Sequence, residues 1–244
     1  MKKFIIPTTI FVLIAFVAYA FTTHENNSNT NVKQVDDKAI EAASGQPQEA
    51  VLVKKGELQT SAKAKLLQNL AGDYYMGNEY APVLMIEYAS LSCPHCAHFH
   101  QAVLDDLIVS HINTDKVRYI YRDFPLNAPA LDATKLSMCA DKDKYFNFLK
   151  VLFKSQENWM MADDYKAVLK SIGKLGGVSE DEFDKCLADK EVESRILSVK
   201  KDAIDVLGVD STPTIFINGI EYEGEHTHEA VAKYIDSLLT APAQ

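Results

Sequence analysis

The sequence predicts a mixed α/β fold in which one small sheet carries a separate block of helices. Short apolar runs typical of buried strands flank a segment of about 80 residues that shows only helical periodicity. The pair Asn218-Gly219 then separates two further strand-like runs, which is typical of a hairpin. Because a segment of that length is too long for a loop, we expect the helical block to pack as a subdomain of its own.

The composition is that of an ordinary globular chain. Of 244 residues, 47% are hydrophobic and 24% are charged. The formal net charge is -9, and no run of Lys and Arg is present, so we expect no nucleic-acid partner. Four cysteines are too few for a disulfide-dense scaffold, which indicates that they carry chemistry.

The N-terminal segment is typical of an export signal. Two lysines precede an apolar stretch over residues 4–21, which closes on the small-residue pattern Ala18-Tyr19-Ala20. Residues 1–20 are either a signal peptide cleaved after Ala20 or an uncleaved membrane anchor, for which this length is at the lower limit. Both interpretations place the rest of the chain outside the cytosol. We expect a periplasmic protein, free or tethered to the inner membrane.

Residues 21–56 are polar and show little periodicity, which indicates a flexible linker. Within it, residues 51–53 could form a short strand. We place the folded domain at 57–244. Its first helix is expected over 57–70, where an apolar residue recurs every fourth position.

The central elements follow from apolar patterns. The run Val83–Ile86 predicts a buried strand, residues 94–111 predict a helix, and residues 117–124 predict a second strand. The helical insertion is expected over about 127–200.

Two local signals mark the second half of the domain. Ser179 and Glu182 form a capping box at a helix start inside the insertion. After the insertion, strands are expected at Thr214–Ile217 and near Glu221–Glu223, on either side of the Asn-Gly turn. A last helix should end near residue 239.

The segment Cys93-Pro94-His95-Cys96 is the predicted chemical centre. Two thiols at the start of a helix can close a small disulfide ring. Free backbone N–H groups and the positive end of the helix dipole stabilise the first thiolate, so the pKa of Cys93 should fall below the free value of about 8.5. Pro94 suits the first helical turn, and His95 adds a positive charge or a donor, so both would tune the thiols.

The dithiol has two other interpretations. An inert disulfide is poorly placed at a strand-to-helix junction. A zinc or copper site could use the dithiol with His95, His98 and His100. However, a structural zinc site usually draws ligands from a distant segment, and the sequence has no second C-x-x-C. We therefore expect no metal, and interpret His98 and His100 as surface or packing residues.

Together these motifs resemble the DsbA family of extracytoplasmic thiol:disulfide oxidoreductases, over nearly all of residues 73–238. The matching segments are Gly77 to Val83, the dithiol with its Pro-His dipeptide, Tyr121 to Leu126, and Ser211-Thr212-Pro213-Thr214 with the following Phe216 to Gly219. The resemblance implies an α/β thioredoxin fold with an inserted α-helical subdomain.

The resemblance also implies residue roles. Cys93 would be the exposed attacking cysteine, and Cys96 the buried resolving one. Pro213 would be cis and lie beside the dithiol, with the backbone of Thr212 pairing to an extended substrate strand.

Glu87 lies six residues before Cys93. By the same resemblance it would be a buried carboxylate that relays the proton of the resolving thiol. The alternative is a partly exposed carboxylate at a sheet edge. One departure is His100, which stands where some relatives carry an acidic residue.

Cys139 and Cys186 both fall in the helical block. They are either two buried free thiols or a structural disulfide, and an oxidising compartment favours the disulfide. A subset of the family has a comparable second pair.

The leading hypothesis for function is an oxidase that introduces disulfide bonds into exported proteins. The alternatives are a reductase or isomerase on the same fold, and a thioredoxin-like chaperone or binding module. No cofactor is implied. The expected partners are unfolded exported polypeptides and a DsbB-like membrane oxidase, and the default oligomeric state is a monomer.

Overall fold

The structure, a computed structural model, describes residues 60–240. The expected leader (1–20), linker (21–56) and short strand (51–53) lie outside the described residues and stay predictions. Within residues 60–240, no helix is both long enough and apolar enough to cross a membrane.

Five strands form one mixed sheet in the order β1-β3-β2-β4-β5. The central pair β2 and β3 is parallel, and the other neighbours are antiparallel. This confirms the predicted mixed α/β class. The strands are β1 (Tyr74–Met76), β2 (Val83–Ala89), β3 (Val117–Asp123), β4 (Thr214–Ile217) and β5 (Ile220–Glu221).

The central strand β2 is buried on both faces. Met85 and Ala89 point into the larger core, whereas Ile86 and Tyr88 point into a second core on the other face of the sheet. Side chains alternate along a strand, so Glu87 must share the face of Met85 and Ala89. The sequence pattern of β2 therefore carries a carboxylate into the main core.

A long helix follows β2. It is continuous from Pro94 to Ile112 and contains π-helical turns at His100–Leu104 and Ile108–Ile112; we call it α2. A shorter helix, α1, spans residues 60–66 before the sheet. The other helices are α3 (Ala128–Cys139), α4 (Tyr145–Lys154), α5 (Gln156–Met160), α6 (Tyr165–Leu175), α7 (Glu180–Ala188), α8 (Lys190–Asp202) and α9 (His228–Thr240).

Helices α3 to α8 all lie between β3 and β4, which is where the helical block was predicted. A π-helical turn over Ala203–Leu207 extends α8 towards β4. The capping box is present at α7: Ser179 Oγ accepts from the Glu182 N–H at 3.3 Å, and Glu182 Oε2 accepts from the Ser179 N–H at 2.8 Å.

The hairpin is also present. Asn218 and Gly219 have φ values of 48° and 81°, the left-handed pair that a two-residue hairpin turn requires. The Asn218 side chain further accepts from the N–H of Leu84 at 2.8 Å, which ties the turn to β2.

Three predicted boundaries were wrong. Strand β2 continues past Ile86 to Ala89. Helix α1 ends at residue 66 and not at 70. The guanidinium of Arg122 on β3 donates to the carbonyls of Leu66 and Gln68, which would otherwise accept from the next turn of the helix. Strand β5 stops at Glu221 and not at Glu223. There the chain turns back, and the Tyr222 hydroxyl donates to the carbonyl of Glu225 at 3.0 Å.

Candidate active site

The dithiol lies at the junction between the end of β2 and the start of α2. Cys93 is the N-cap of α2, with an extended backbone (φ -87°, ψ 120°), and Pro94 occupies the first helical turn. In this position the first backbone N–H groups of the helix have no intrahelical acceptor and can face the sulfur of Cys93. Cys96 lies one turn further along the helix, inside the core.

The exposure of the two thiols differs from expectation. Cys96 is buried as predicted, with 0% exposed, but Cys93 is only 6% exposed. The prediction of an exposed Cys93 was wrong because a loop far along the chain covers the thiol: Cys93 Sγ donates to the carbonyl of Thr212 at 3.2 Å. Both thiols are free in the structure.

The pKa of Cys93 is lowered from 9.0 to about 5. The main cause is a hydrogen bond from the Cys96 thiol, which stabilises the Cys93 thiolate. Burial opposes this effect, and the backbone N–H groups of Cys96 and His95 add to it. The sequence predicted the direction and the backbone contribution, but not the leading part of Cys96.

The pKa of Cys96 moves the opposite way. Burial raises it far above 9.0, and the hydrogen bond to Cys93 and the negative charge of Glu87 raise it further. At neutral pH the site therefore holds one thiolate, on Cys93, and one thiol, on Cys96. Such a pair has a ready nucleophile and a second sulfur that reacts only when its proton is removed.

The loop before β4 completes the site. The Thr212-Pro213 peptide bond is cis, the isomer that the resemblance implies. Strand β4 places the loop there, since Thr214 pairs with Tyr88 near the end of β2. The structure thus brings Thr212 and Pro213 together with Cys93, and the assignment of substrate binding to them stays a prediction.

Glu87 is fully buried, with 0% exposed, so the edge interpretation was wrong. The parallel pairing of β2 with β3 sets it beside Tyr119, whose hydroxyl donates to Glu87 Oε2. His100 from α2 also reaches this oxygen, with Nε2 3.2 Å away. The other oxygen, Oε1, is buried and has no hydrogen-bond partner within the described part of the chain.

The interpretation of His100 as a surface or packing residue missed its contact with Glu87. His100 is buried, 8% exposed, and is a direct partner of Glu87. His98, two positions earlier, is exposed, as is His95 of the dithiol segment. In residues 60–240 no group of three or more His, Cys, Asp or Glu side chains is arranged to hold a metal ion.

Gln156, at the start of α5, is a further site residue that sequence reasoning missed. Its amide Nε2 donates to the carbonyls of Leu91 and Cys93, at 2.7 and 3.0 Å, and the side chain is buried. The helical block therefore holds the backbone of the dithiol loop directly. No local sequence signal marks Gln156, because its partners are more than 60 positions away.

Cys139 and Cys186 are joined by a disulfide, with their Cα atoms 6.0 Å apart. Cys139 ends α3 and Cys186 lies in α7, so the bond links two helices of the inserted block. It is remote in sequence from the dithiol and closes a span of 47 residues.

Known sequences match this chain over the folded domain that contains the dithiol. Residues 69–237 match a family model described as thioredoxin. A protein from Rickettsia bellii, named as a protein-disulfide oxidoreductase, is 30% identical over 168 residues, which cover 68% of this chain and 64% of the relative. The chain thus spans somewhat less than two thirds of that relative's length.

Solved structures give the same picture. Alpha-DsbA1 from Wolbachia pipientis matches with a TM-score of 0.68 and 35% identity, over 72% of this chain and 95% of that one. The thiol-disulfide exchange protein alpha-DsbA2 from the same organism matches with a TM-score of 0.58 and 25% identity, over 75% and 98%. Both neighbours are covered over almost their whole length.

Proposed function

The chain belongs to the thioredoxin family, among its DsbA-type protein-disulfide oxidoreductases, and from this premise we propose that it introduces disulfide bonds into exported proteins through Cys93 and Cys96. The observation that carries the proposal is the position of Cys93 at the N-terminus of α2 with Cys96 buried behind it; in this arrangement the pKa of Cys93 falls to about 5. A stabilised thiolate favours the reduced dithiol, so the disulfide form is a strong oxidant.

The reaction runs in two exchanges. A substrate thiolate attacks Cys93 of the Cys93–Cys96 disulfide, and Cys96 leaves and takes up a proton. A second substrate thiolate then attacks the substrate sulfur of this mixed disulfide, and Cys93 leaves as a stable thiolate. The substrate gains a disulfide, and the protein retains two reduced cysteines that a partner must oxidise again.

The loop around the cis proline supports substrate binding in this scheme. The Thr212 backbone lies against Cys93 Sγ, so an extended chain paired to that backbone would deliver its cysteine to the reactive sulfur. We propose unfolded exported polypeptides as substrates, a DsbB-like membrane oxidase as the partner that restores the disulfide, a periplasmic location and a monomeric state. The leader-like residues 1–20 support the location.

The reduction potential tests the proposal. It is measured in glutathione buffers on a Cys139→Ala/Cys186→Ala variant, so that only the Cys93–Cys96 couple titrates. We expect a potential more oxidising than about -180 mV, the value of protein disulfide isomerase, whereas a potential near about -270 mV, as in thioredoxin, would make the protein a reductase.

A second assay separates the oxidase from a binding module. The oxidised protein should form disulfides in a reduced, unfolded substrate, and a Cys93→Ser/Cys96→Ser variant should lose this activity. If that variant still suppresses substrate aggregation as well as the parent, and the parent forms no disulfides, the binding module is the correct description.

A further inference from the structure

The partner of Glu87 on the active-site helix suggests a route for the proton of Cys96. Cys96 and His100 are four positions apart on α2 and therefore share one face of the helix. This face packs on β2 at Glu87, which is fully buried. His100 Nε2 lies 3.2 Å from Glu87 Oε2, while Glu87 Oε1 has no partner among residues 60–240.

Only one member of this group reaches the surface. Glu87 and Tyr119 are both 0% exposed, whereas His100 keeps 8% of its surface. That exposed part lines a cleft between α2 and α4, together with Met76, Phe153 and Lys154. The lining residues include neither Cys93 and Pro94 nor the loop around Pro213. His100 therefore reaches the surface at a place that neither Cys93 nor the loop around Pro213 lines.

The tyrosines and lysines near His100 do not replace it. Burial raises the pKa values of Tyr119 and Tyr121 well above 10, so both phenols stay protonated. The Tyr119 hydroxyl donates to Glu87 and also lies 3.5 Å from Nε2 of His100. Inside the cleft, Lys150 is paired with Asp105 at 2.8 Å, and the ammonium of Lys154 has no contact with Glu87 among those described. An imidazole, by contrast, has two ring nitrogens, so it can accept a proton on one and release a proton from the other.

We propose that His100 acts through Glu87 as a relay residue, passing the proton of the Cys96 thiol between the Glu87 carboxylate and water in the cleft. The inference rests on the proposed exchange activity. His100 does not touch a reacting sulfur in this scheme. It keeps Glu87 ready to give or take a proton without opening the substrate face.

The proton balance can be followed in both directions. When Cys96 leaves the Cys93–Cys96 disulfide, its sulfur takes the electron pair of the broken bond and a proton from Glu87. Glu87 then regains a proton from water through His100. When Cys96 attacks a mixed disulfide on Cys93, its proton passes to Glu87 and out through His100. The Cys93–Cys96 bond then forms, the bond from Cys93 to the partner sulfur breaks, and the partner leaves as a thiolate.

The two steps can be timed separately. Reduced protein is mixed with oxidised glutathione, quenched with acid at intervals, and weighed by mass spectrometry to follow the Cys93–glutathione adduct and the Cys93–Cys96 disulfide. For His100→Ala and for the conservative His100→Gln, we expect adduct formation at the parent rate and resolution by Cys96 slowed at least tenfold, in line with a lost proton-transfer group.

The relay predicts two further results that a merely structural role of His100 does not. In His100→Ala the cleft should admit free imidazole, and resolution should recover as the concentration of imidazole base rises; imidazolium at low pH should not help. In a Glu87→Gln background, adding His100→Ala should slow resolution no further, since the relay is already broken. The matched control is His98→Ala, an exposed histidine on the same helix, which should resolve at the parent rate.

The outcomes are distinguishable. If the parent protein forms no adduct and no disulfide, the proposed function itself fails. If the parent exchanges normally but His100→Gln resolves at the parent rate, the relay is wrong. It is equally overturned if His100→Ala is slow and imidazole restores nothing, or if adduct formation and resolution slow by the same factor.

Discussion

The carbonyl oxygen of Thr212 lies 3.2 Å from Sγ of Cys93, although 119 positions separate the two residues in the chain. The strand pairing of β4 with β2 creates this contact, and it covers the sulfur that has the lowered pKa. A polypeptide that binds along the Thr212 backbone would thus be aligned by the residue whose carbonyl lies against the sulfur of Cys93. Substrate alignment and thiol chemistry depend on one loop.

The first prediction concerns Cys93. Its absorbance as thiolate, followed against pH in the reduced protein, should show a midpoint near 5. This folded pKa lies below the 9.0 of an unperturbed thiol, so ionised Cys93 stabilises the reduced protein fully above pH 9, and the stabilisation is lost as pH falls through 5. A Cys93→Ser variant provides the baseline, and a midpoint near 9 would contradict the prediction.

The second prediction separates the roles of the two thiols. Cys96→Ala should accumulate mixed disulfides with substrate, because the buried thiol that would release the adduct is gone. Cys93→Ala should form none, since the remaining Cys96 is buried and its pKa is strongly raised. Non-reducing gels of the two variants measure this. Equal trapping by both variants would mean that the roles have been assigned wrongly.

The third prediction concerns the Cys139–Cys186 disulfide. Across a glutathione redox series, thiol counting should show two steps of two thiols, with Cys93–Cys96 opening first, since structural disulfides resist reduction more strongly. Cys139→Ala/Cys186→Ala should lower the free energy of unfolding by about 4 kcal/mol, the chain-entropy value for a loop of this size. The variant should keep its exchange activity. A loss of activity without a loss of stability would point to coupling between the two pairs.

The fourth prediction concerns Asp123, at the end of β3. Burial raises its pKa from 3.8 to about 6, although Thr134 and Tyr145 donate to it at 2.8 and 3.0 Å. Because the folded pKa exceeds the unfolded one, this group stabilises the fold most when protonated, and its contribution falls as pH rises from about 4 to 6. The total change should be up to about 3 kcal/mol.

Urea unfolding between pH 4 and 7 measures this effect. In Asp123→Asn the fall should disappear, so the variant gains stability relative to the parent as pH rises. The exposed Asp163→Asn serves as the control and should follow the parent curve. If the parent and Asp123→Asn have parallel pH profiles, Asp123 is not the responsible group.

Much of the fold follows from local patterns in the sequence. The apolar runs of β2 and β3, the left-handed turn at Asn218-Gly219 and the capping box at Ser179 each act within a few residues, so their signals survive without tertiary context. Strand β1 was missed for the opposite reason. It has three residues and no alternation, and it exists through its pairing with β3, where Tyr74 lies opposite Tyr121.

In the candidate site, too, local motifs were predictable from the sequence and contacts between distant segments were not. The dithiol and the Thr-Pro loop stand out as motifs, and the resemblance joined them. The low exposure of Cys93, the contact between His100 and Glu87 and the hydrogen bonds of Gln156 all join distant segments. A periodicity argument can place His100 on a helix face, but it cannot say which carboxylate lies opposite that face.

The two hydrogen bonds from Gln156 have a consequence for engineering. The amide anchors the backbone of Leu91 and Cys93 from a helix that belongs to the inserted block. A chimera that grafts a relative's helical block onto this sheet would therefore exchange one support of the reactive loop as well as a surface. Unless the graft supplies an equivalent amide, two buried carbonyls lose their donor. Replacing the inserted block would therefore also change the support of the reactive thiols.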